Sequence, residues 1–191
     1  MYRGIYKIFN HWFHGGNIWF YSDPHFNDSD MPMIRFNYIS DEEQIHKINS
    51  KVGKNDTIVI LGDIGDISFI PKIKGYKVLV CGNHDQGPSR YERKLENGID
   101  NHFFDEVYDG VLTISKKIIL SHEPLQNYPY ALNIHGHTHN FNNSPKDIYH
   151  LNVCAEHINY TPISLTEIID SGRLSRVTDI HKEAVNHIYS F

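Results

Sequence analysis

Asn83, His84 and Asp85 stand in a row directly after the apolar run 76–81 and Gly82. An amide, an imidazole and a carboxylate side by side offer a hydrogen-bonded turn, a set of metal ligands or a proton-transfer pair. The triplet alone does not choose between them. Four further stretches repeat the theme. Asp23-Pro24-His25 follows the aromatic run 17–22, and Gly62-Asp63-Ile64-Gly65-Asp66 follows the β-branched run 57–61. Ser121-His122-Glu123 closes the run 118–121, and Gly136-His137-Thr138-His139 follows 131–135.

Taken singly, each cluster has an ordinary reading. Asp-x-His is usually a turn, Asn-His-Asp a cap or Asx-turn, and His122 a satisfied buried histidine. Taken together they supply carboxylate, amide and imidazole ligands, the mixed oxygen and nitrogen donors of a divalent-cation site. Asp23 and His25 are two residues apart, as are His137 and His139. In extended backbone such positions face one side, roughly 6–7 Å apart. That reach suits two ions about 3.5–4 Å apart better than one. Glycines before Asp63, Asn83 and His137 allow tight turns and close backbone approach.

The elements that must carry these clusters read as follows. Segments 17–22, 57–61, 76–81, 118–121, 131–135 and 149–154 are short apolar runs, expected as buried strands. Segment 106–115 alternates and reads as one strand, with a solvated Lys116-Lys117 turn joining it to 118–121. Ser40 to Glu43 has the form of a capping box, after which Ile45, Ile48 and Val52 recur at helical spacing up to Gly53. Ser164 to Glu167 opens a second helix, and 90–97 and 178–189 read as two more. Strand and helix alternate in the first half and strands dominate the second. This predicts an α/β fold with two packed sheets. In α/β sheets, sites form beyond the carboxyl ends of strands, so five strands deliver five polar clusters to one rim.

Composition narrows the function. The 191 residues suit one domain, 1–191, in which 1–16 form an N-terminal extension without an assigned role. With 40% hydrophobic and 21% charged residues, the chain has enough apolar material for a core and too few charges for a disordered polymer. The net charge of −5 provides no basic footprint, so stable nucleic-acid binding is not expected. No apolar run approaches the ~18 residues of a membrane span. Cys81 and Cys154 do not make a disulfide framework, which points to the reducing cytoplasm. Of the 14 histidines, His11, His14, His150, His157, His181 and His187 read as surface or capping groups. Tyr128-Pro129-Tyr130 reads as loop packing, with a pocket wall as the alternative.

In order and spacing, DPH at 23–25, GDIGD at 62–66, GNHD at 82–85, SH at 121–122 and GHTH at 136–139 resemble the signature of the calcineurin-like metallophosphoesterases. NVC at 152–154 and PISLTEI at 162–168 are similar to short bacterial and phage members. The resemblance implies a four-layer α/β/β/α sandwich and two divalent cations, Mn²⁺ first, with Fe²⁺, Zn²⁺ or Ni²⁺ as alternatives. It implies that Asp23, His25 and His139 hold one ion, that Asn83, His122 and His137 hold the other, and that Asp63 bridges both. His84 would serve the leaving-group oxygen and Asp85 would orient His84. Asp66 occupies the position where purple acid phosphatases of this superfamily place a metal-binding tyrosine, which disfavours a ferric tyrosinate site. The activity implied is hydrolysis of a phosphoester by a metal-bridging hydroxide. A small phosphodiester or cyclic nucleotide is the expected substrate. A phosphomonoester is the alternative, and a non-enzymatic scaffold a third reading that the complete ligand set weakens.

Overall fold

The computed structural model describes residues 7–85, 103–126, 131–140 and 142–179. Among the described residues, nine strands form two mixed sheets. The first sheet contains β1 (Ile18–Tyr21), β2 (Thr57–Ile60), β3 (Tyr76–Val80), β4 (Glu106–Tyr108) and β9 (Ile163–Ser164), in the order β4-β3-β2-β1-β9. Strands β1 to β4 are parallel and β9 is antiparallel. The second sheet orders β5 (Leu112–Ser115), β6 (Ile118–Leu120), β7 (Leu132–His135) and β8 (His150–Asn152). Strands β6 to β8 are parallel, and β5 pairs antiparallel with β6 across the expected turn.

Side-chain alternation along the first sheet decides what packs where. Ile18, Phe20, Val59, Val78 and Val80 share one buried cluster with Leu112, Ile114, Leu120 and Ile134 of the second sheet. The two sheets therefore pack on a common core. Tyr21, Ile58, Ile60 and Leu79 point the other way, onto Ile45, Ile48 and Val52 of the helical stripe. That stripe lies on α3 (Asp41–Lys51), where Ser40 accepts a hydrogen bond from the Glu43 amide at 3.2 Å. The helix α4 (Leu165–Asp170) starts with the complete capping box of Ser164 and Glu167. Two four-residue helices, α1 (Asn10–Phe13) and α2 (Met31–Ile34), complete the α-helices of the described residues.

Two expectations change. Segment 106–115 is not one strand. It breaks at Gly110, whose φ is +88°, and its halves join different sheets: β4 lies beside β3, and β5 beside β6. Alternation along the sequence is blind to such a sheet switch: β5 buries alternate residues while all three residues of β4 are half-buried, and neither pattern names a sheet. The second change concerns residues 7–16, part of the extension without an assigned role. Ile8 is fully buried in the core between the sheets, and its carbonyl accepts from Thr57 Oγ1 at 3.2 Å. Burying a side chain of that size is worth roughly 1.5–3 kcal/mol, so this segment belongs to the fold.

The expected helix over 90–97, Tyr128-Pro129-Tyr130, His181, His187 and all but the first two residues of the helix over 178–189 lie outside the described residues. Among the described residues, no helix is long and apolar enough to cross a membrane.

Candidate metal centre

The parallel ladder of β1 and β2 does not stop where the strands end. Asp23 N donates to Gly62 O, His25 N to Asp63 O and Phe26 N to Ile64 O, at 2.9–3.1 Å. The loops bearing Asp23, His25 and Asp63 are thus zipped together. The second sheet does the same: Gly136 N donates to His122 O at 2.8 Å and Val153 N to His135 O at 2.8 Å. The two sheets meet at a bridge between Ser22 and Cys154, which brings all five clusters to one rim.

Within that rim, ligand atoms of Asp23, His25 and His139 converge within 4.8 Å of one another. So do those of Asp63, His122 and His137. Asp63 Oδ2 faces both groups, 3.6 Å from His25 Nε2 and 3.4 Å from His122 Nε2. Asn83 Oδ1 lies 2.8 Å from His122 Nε2, and His137 Nδ1 lies 3.1 Å from it. All seven residues expected as ligands are therefore gathered.

The backbone reaches this arrangement by an unexpected route. Asp23, His25, Asp63 and His137 have φ of +54°, +47°, +53° and +65°, so Asp-x-His and His-x-His are not extended pairs. Left-handed backbone at non-glycine residues costs on the order of 1–3 kcal/mol each and persists where the surroundings impose it. Here the zipped loops impose it. Gly136 shows how tight the packing is: a Cβ there would lie 1.9 Å from Ser22 Oγ and 2.2 Å from Asp23 Oδ2.

Contacts on the far side of three rings aim His25, His122 and His139. His122 Nδ1 meets Leu61 O at 2.7 Å, His139 Nδ1 meets Glu156 Oε1 at 2.6 Å, and His25 Nδ1 lies 3.3 Å from Asp28 Oδ2. An acceptor at Nδ1 holds the proton there and turns the Nε2 lone pair inward, as cation ligation requires. Asp23 is fully buried, yet its Oδ1 has no hydrogen-bond partner, and neither does His25 Nε2. A buried carboxylate oxygen without a partner is costly unless a cation sits beside it. These orphaned atoms, and the oxygen and imidazole donors around them, fit divalent cations.

Electrostatics point the same way. Burial by itself would raise the Asp63 carboxyl, but the hydrogen bond and charge of His122, with the His84 amide, bring it down to about 2. Burial would lower His122, but Asp63 and Asp23 outweigh it and lift the imidazole to about 9. Burial lowers His25 against the pull of Asp23 and Asp63. In His139 the opposing pull of Glu156 and Asp23 exceeds burial and raises it.

His84 and Asp85 take different places. His84 is exposed at the rim, its ring 5.7 Å from that of His25, and its backbone N–H donates to Asp63 Oδ1 at 3.0 Å. Asp85 is buried. Its carboxylate accepts from the amides of Asp63 and Gly82 at 2.8 Å and of Ile64 at 3.2 Å. Those contacts shape the turn that presents Asp63, a role not foreseen beside the expected one of orienting His84. A cavity of about 600 Å³, lined in part by His25, Asn27, Asp66 and His84, abuts one ligand group. A second of about 280 Å³, lined in part by Asn83, Val111, His122 and Glu123, abuts the other.

Sequence reasoning missed Glu156 and Arg35, both buried beneath the centre. Glu156 follows the apolar run 149–154 just as the five clusters follow theirs, so the same rule extended by one strand would have found it. Arg35 sits in an irregular stretch with no such signal. Cys154 is fully buried and donates from Sγ to Asp23 Oδ2 at 3.1 Å. Burial and the Asp23 charge push its thiol well above the ordinary range. His157, expected as a surface or capping group, holds the His139 carbonyl through Nε2 at 2.9 Å.

No family model matches the chain. It is similar to Gene 66 protein of Mycobacterium phage L5, 28% identical in a match that covers 91% of this chain and 96% of that protein. Among solved structures it is similar to the protein of unknown function AQ665 from Aquifex aeolicus, with a TM-score of 0.62 and 26% identity. That likeness covers 82% of this chain and all of the other. The α/β fold with two mixed sheets thus has a counterpart in a crystal structure.

Proposed function

We propose that this protein is a phosphoesterase that works with two divalent cations, Mn²⁺ first among them. Its proposed substrates are small phosphodiesters, cyclic nucleotides included. One observation carries the reading: Asp63 Oδ2 faces His25 Nε2 and His122 Nε2 from a position between the two ligand groups. A single carboxylate serves both only if both hold ions. On this reading the packed sheets belong to a four-layer α/β/β/α sandwich of the calcineurin-like metallophosphoesterase type. The two free, buried cysteines suit a cytoplasmic protein.

Asp23, His25, His139 and Asp63 would hold one ion, and Asn83, His122, His137 and Asp63 the other. Bound there, the ions would acidify a shared water and offset the charge of the phosphoryl oxygens. The chain's own groups do the rest. Asp85 and the zipped loops hold Asp63 in place. His84, exposed beside His25, is within reach of a phosphoester at the rim and would give a proton to the leaving oxygen. The cavities against the two ligand groups leave room for a substituent on each side of a phosphate, which favours diesters over monoesters. Asp66 beside one and Glu123 beside the other oppose a long polyanion.

The test is the ratio of kcat/KM for bis-p-nitrophenyl phosphate and p-nitrophenyl phosphate in Mn²⁺, with a 2′,3′-cyclic nucleotide assayed alongside. A ratio above one supports the diesterase reading. A tenfold preference for the monoester overturns it, and absence of hydrolysis by fully loaded protein points to the scaffold.

A further inference from the structure

Glu156 sits in the 3₁₀ turn Ala155–Ile158 that follows β8 and is 2% exposed. Its two oxygens face two different partners. Oε1 accepts from His139 Nδ1 at 2.6 Å. Oε2 lies 3.3 Å from Arg35 Nε, with both side chains 1% exposed. The Arg35 guanidinium turns its other nitrogens to the opposite loop, donating from Nη2 to the carbonyl of Asp23 and from Nη1 to that of Pro24 at 3.3 Å. One buried chain of charges therefore runs from His139 through Glu156 and Arg35 to the loop that carries Asp23 and His25. It touches His139 directly and reaches the loop of Asp23 and His25 through the carbonyls of Asp23 and Pro24.

The second group is built differently. His122 is aimed by a neutral backbone carbonyl, that of Leu61. Asp63 is held by main-chain contacts, including the Asp85 link to its own amide. A buried ion pair contributes little net stability compared with apolar packing, so its placement against one ligand group has a use beyond folding. Glu156 also stands close to His139 and Cys154 in a grouping that could itself hold a cation. That grouping is already engaged: Oε1 is on His139 Nδ1, and the Cys154 thiol donates to Asp23 Oδ2.

We infer that Glu156 is a positioning residue that sets the cation affinity of the Asp23–His25–His139 group selectively, by fixing His139 with Nε2 toward Asp23 while Arg35 holds the facing loop. This inference rests on the metal-centre reading above.

The test uses the full chain, stripped of metal by chelation and titrated with Mn²⁺ by calorimetry, with bound metal counted by elemental analysis. The wild type takes up two ions. Glu156→Gln keeps the volume and removes the charge. One binding step then weakens by about 10–100-fold, the usual loss when a carboxylate behind a ligating histidine is altered, while the other stays within a few-fold. Glu156→Asp, which keeps the charge, recovers part of the loss. Wild type that binds two ions, with Glu156→Gln equally tight in both steps or weakened equally in both, overturns the inference and leaves the metal centre standing. Wild type that binds no Mn²⁺ overturns the metal centre itself.

A measurement on the wild type guards against a variant that does not fold. Long-range ¹⁵N–¹H correlation of the metal-free protein, above the pH at which His139 titrates, reads the tautomer directly. The Nδ1–H form is expected, and an Nε2–H form overturns the positioning role.

Discussion

Asp63 and His122 meet at 3.4 Å through Oδ2 and Nε2, with both side chains almost wholly removed from solvent. In the absence of metal this is an ion pair, with the carboxyl down near 2 and the imidazole up near 9. A cation placed between them would replace the imidazole proton, because a ligating nitrogen must be unprotonated. On the proposed reading, folding thus prepares a buried negative charge and an imidazole that can exchange a proton for a metal.

Asp63→Asn removes the shared charge. Elemental analysis of Mn²⁺-loaded protein should fall from about two ions per chain in the wild type, with both sites weakened, on the two-ion arithmetic of a bridging carboxylate. Wild-type protein that saturates at one ion, with an unchanged count in the variant, would contradict the bridge.

His84→Ala should retain its metal. The contact of His84 with Asp63 runs through the backbone N–H, which the substitution leaves in place. Turnover should drop by roughly 10²–10⁴-fold if the imidazole acts as the general acid. The drop should shrink for p-nitrophenolate and similar leaving groups that need no proton. An equal loss on good and poor leaving groups, or loss of metal, rules out this role.

Gly136→Ala tests the packing behind the centre. The added methyl would press on Ser22 Oγ and Asp23 Oδ2 at 1.9 and 2.2 Å. Overpacking of this kind costs roughly 1–3 kcal/mol, and here it also pushes on Asp23, a proposed ligand. The metal-free variant should melt at lower temperature and bind Mn²⁺ more weakly. A melting point and metal affinity equal to wild type would show that the loop yields freely.

The stability of the metal-free protein should peak near neutral pH. His135 is fully buried and its pKa is depressed to about 4, chiefly by burial, against an ordinary value near 6.5. Below about 6.5 the unfolded chain takes up a proton that the folded chain refuses. Stability is therefore full above 6.5 and falls as pH drops toward 4, by on the order of 3 kcal/mol. His122 acts in the opposite sense: its raised pKa gives stability that is full below 6.5 and lost as pH climbs through 9. Denaturant melts across pH 4–9 should trace this dome, and His135→Phe should flatten its acid limb. An acid limb equally steep in that variant would assign it to other groups.

The chain's order of residues determined which runs become strands and which polar clusters follow them. Apolar β-branched runs such as 57–61 have no stable place except a buried parallel strand, and Asp, His and Asn after such runs land beyond strand ends whatever the partner. The helix from Ser40 was legible for the same local reason, since cap and apolar stripe lie within a few turns of each other. Tertiary structure decided the remainder. Strand alternation carries no record of which sheet a strand joins, so the parting of β4 from β5 at Gly110 depended on the packing of the two sheets. The left-handed backbone at Asp23, His25, Asp63 and His137 is unfavourable locally, and contacts from residues 38–114 positions away along the chain hold it. Arg35 and Glu156 lie 121 positions apart (156 − 35), and only the meeting of the two sheets at Ser22 and Cys154 brings their charges together under the centre.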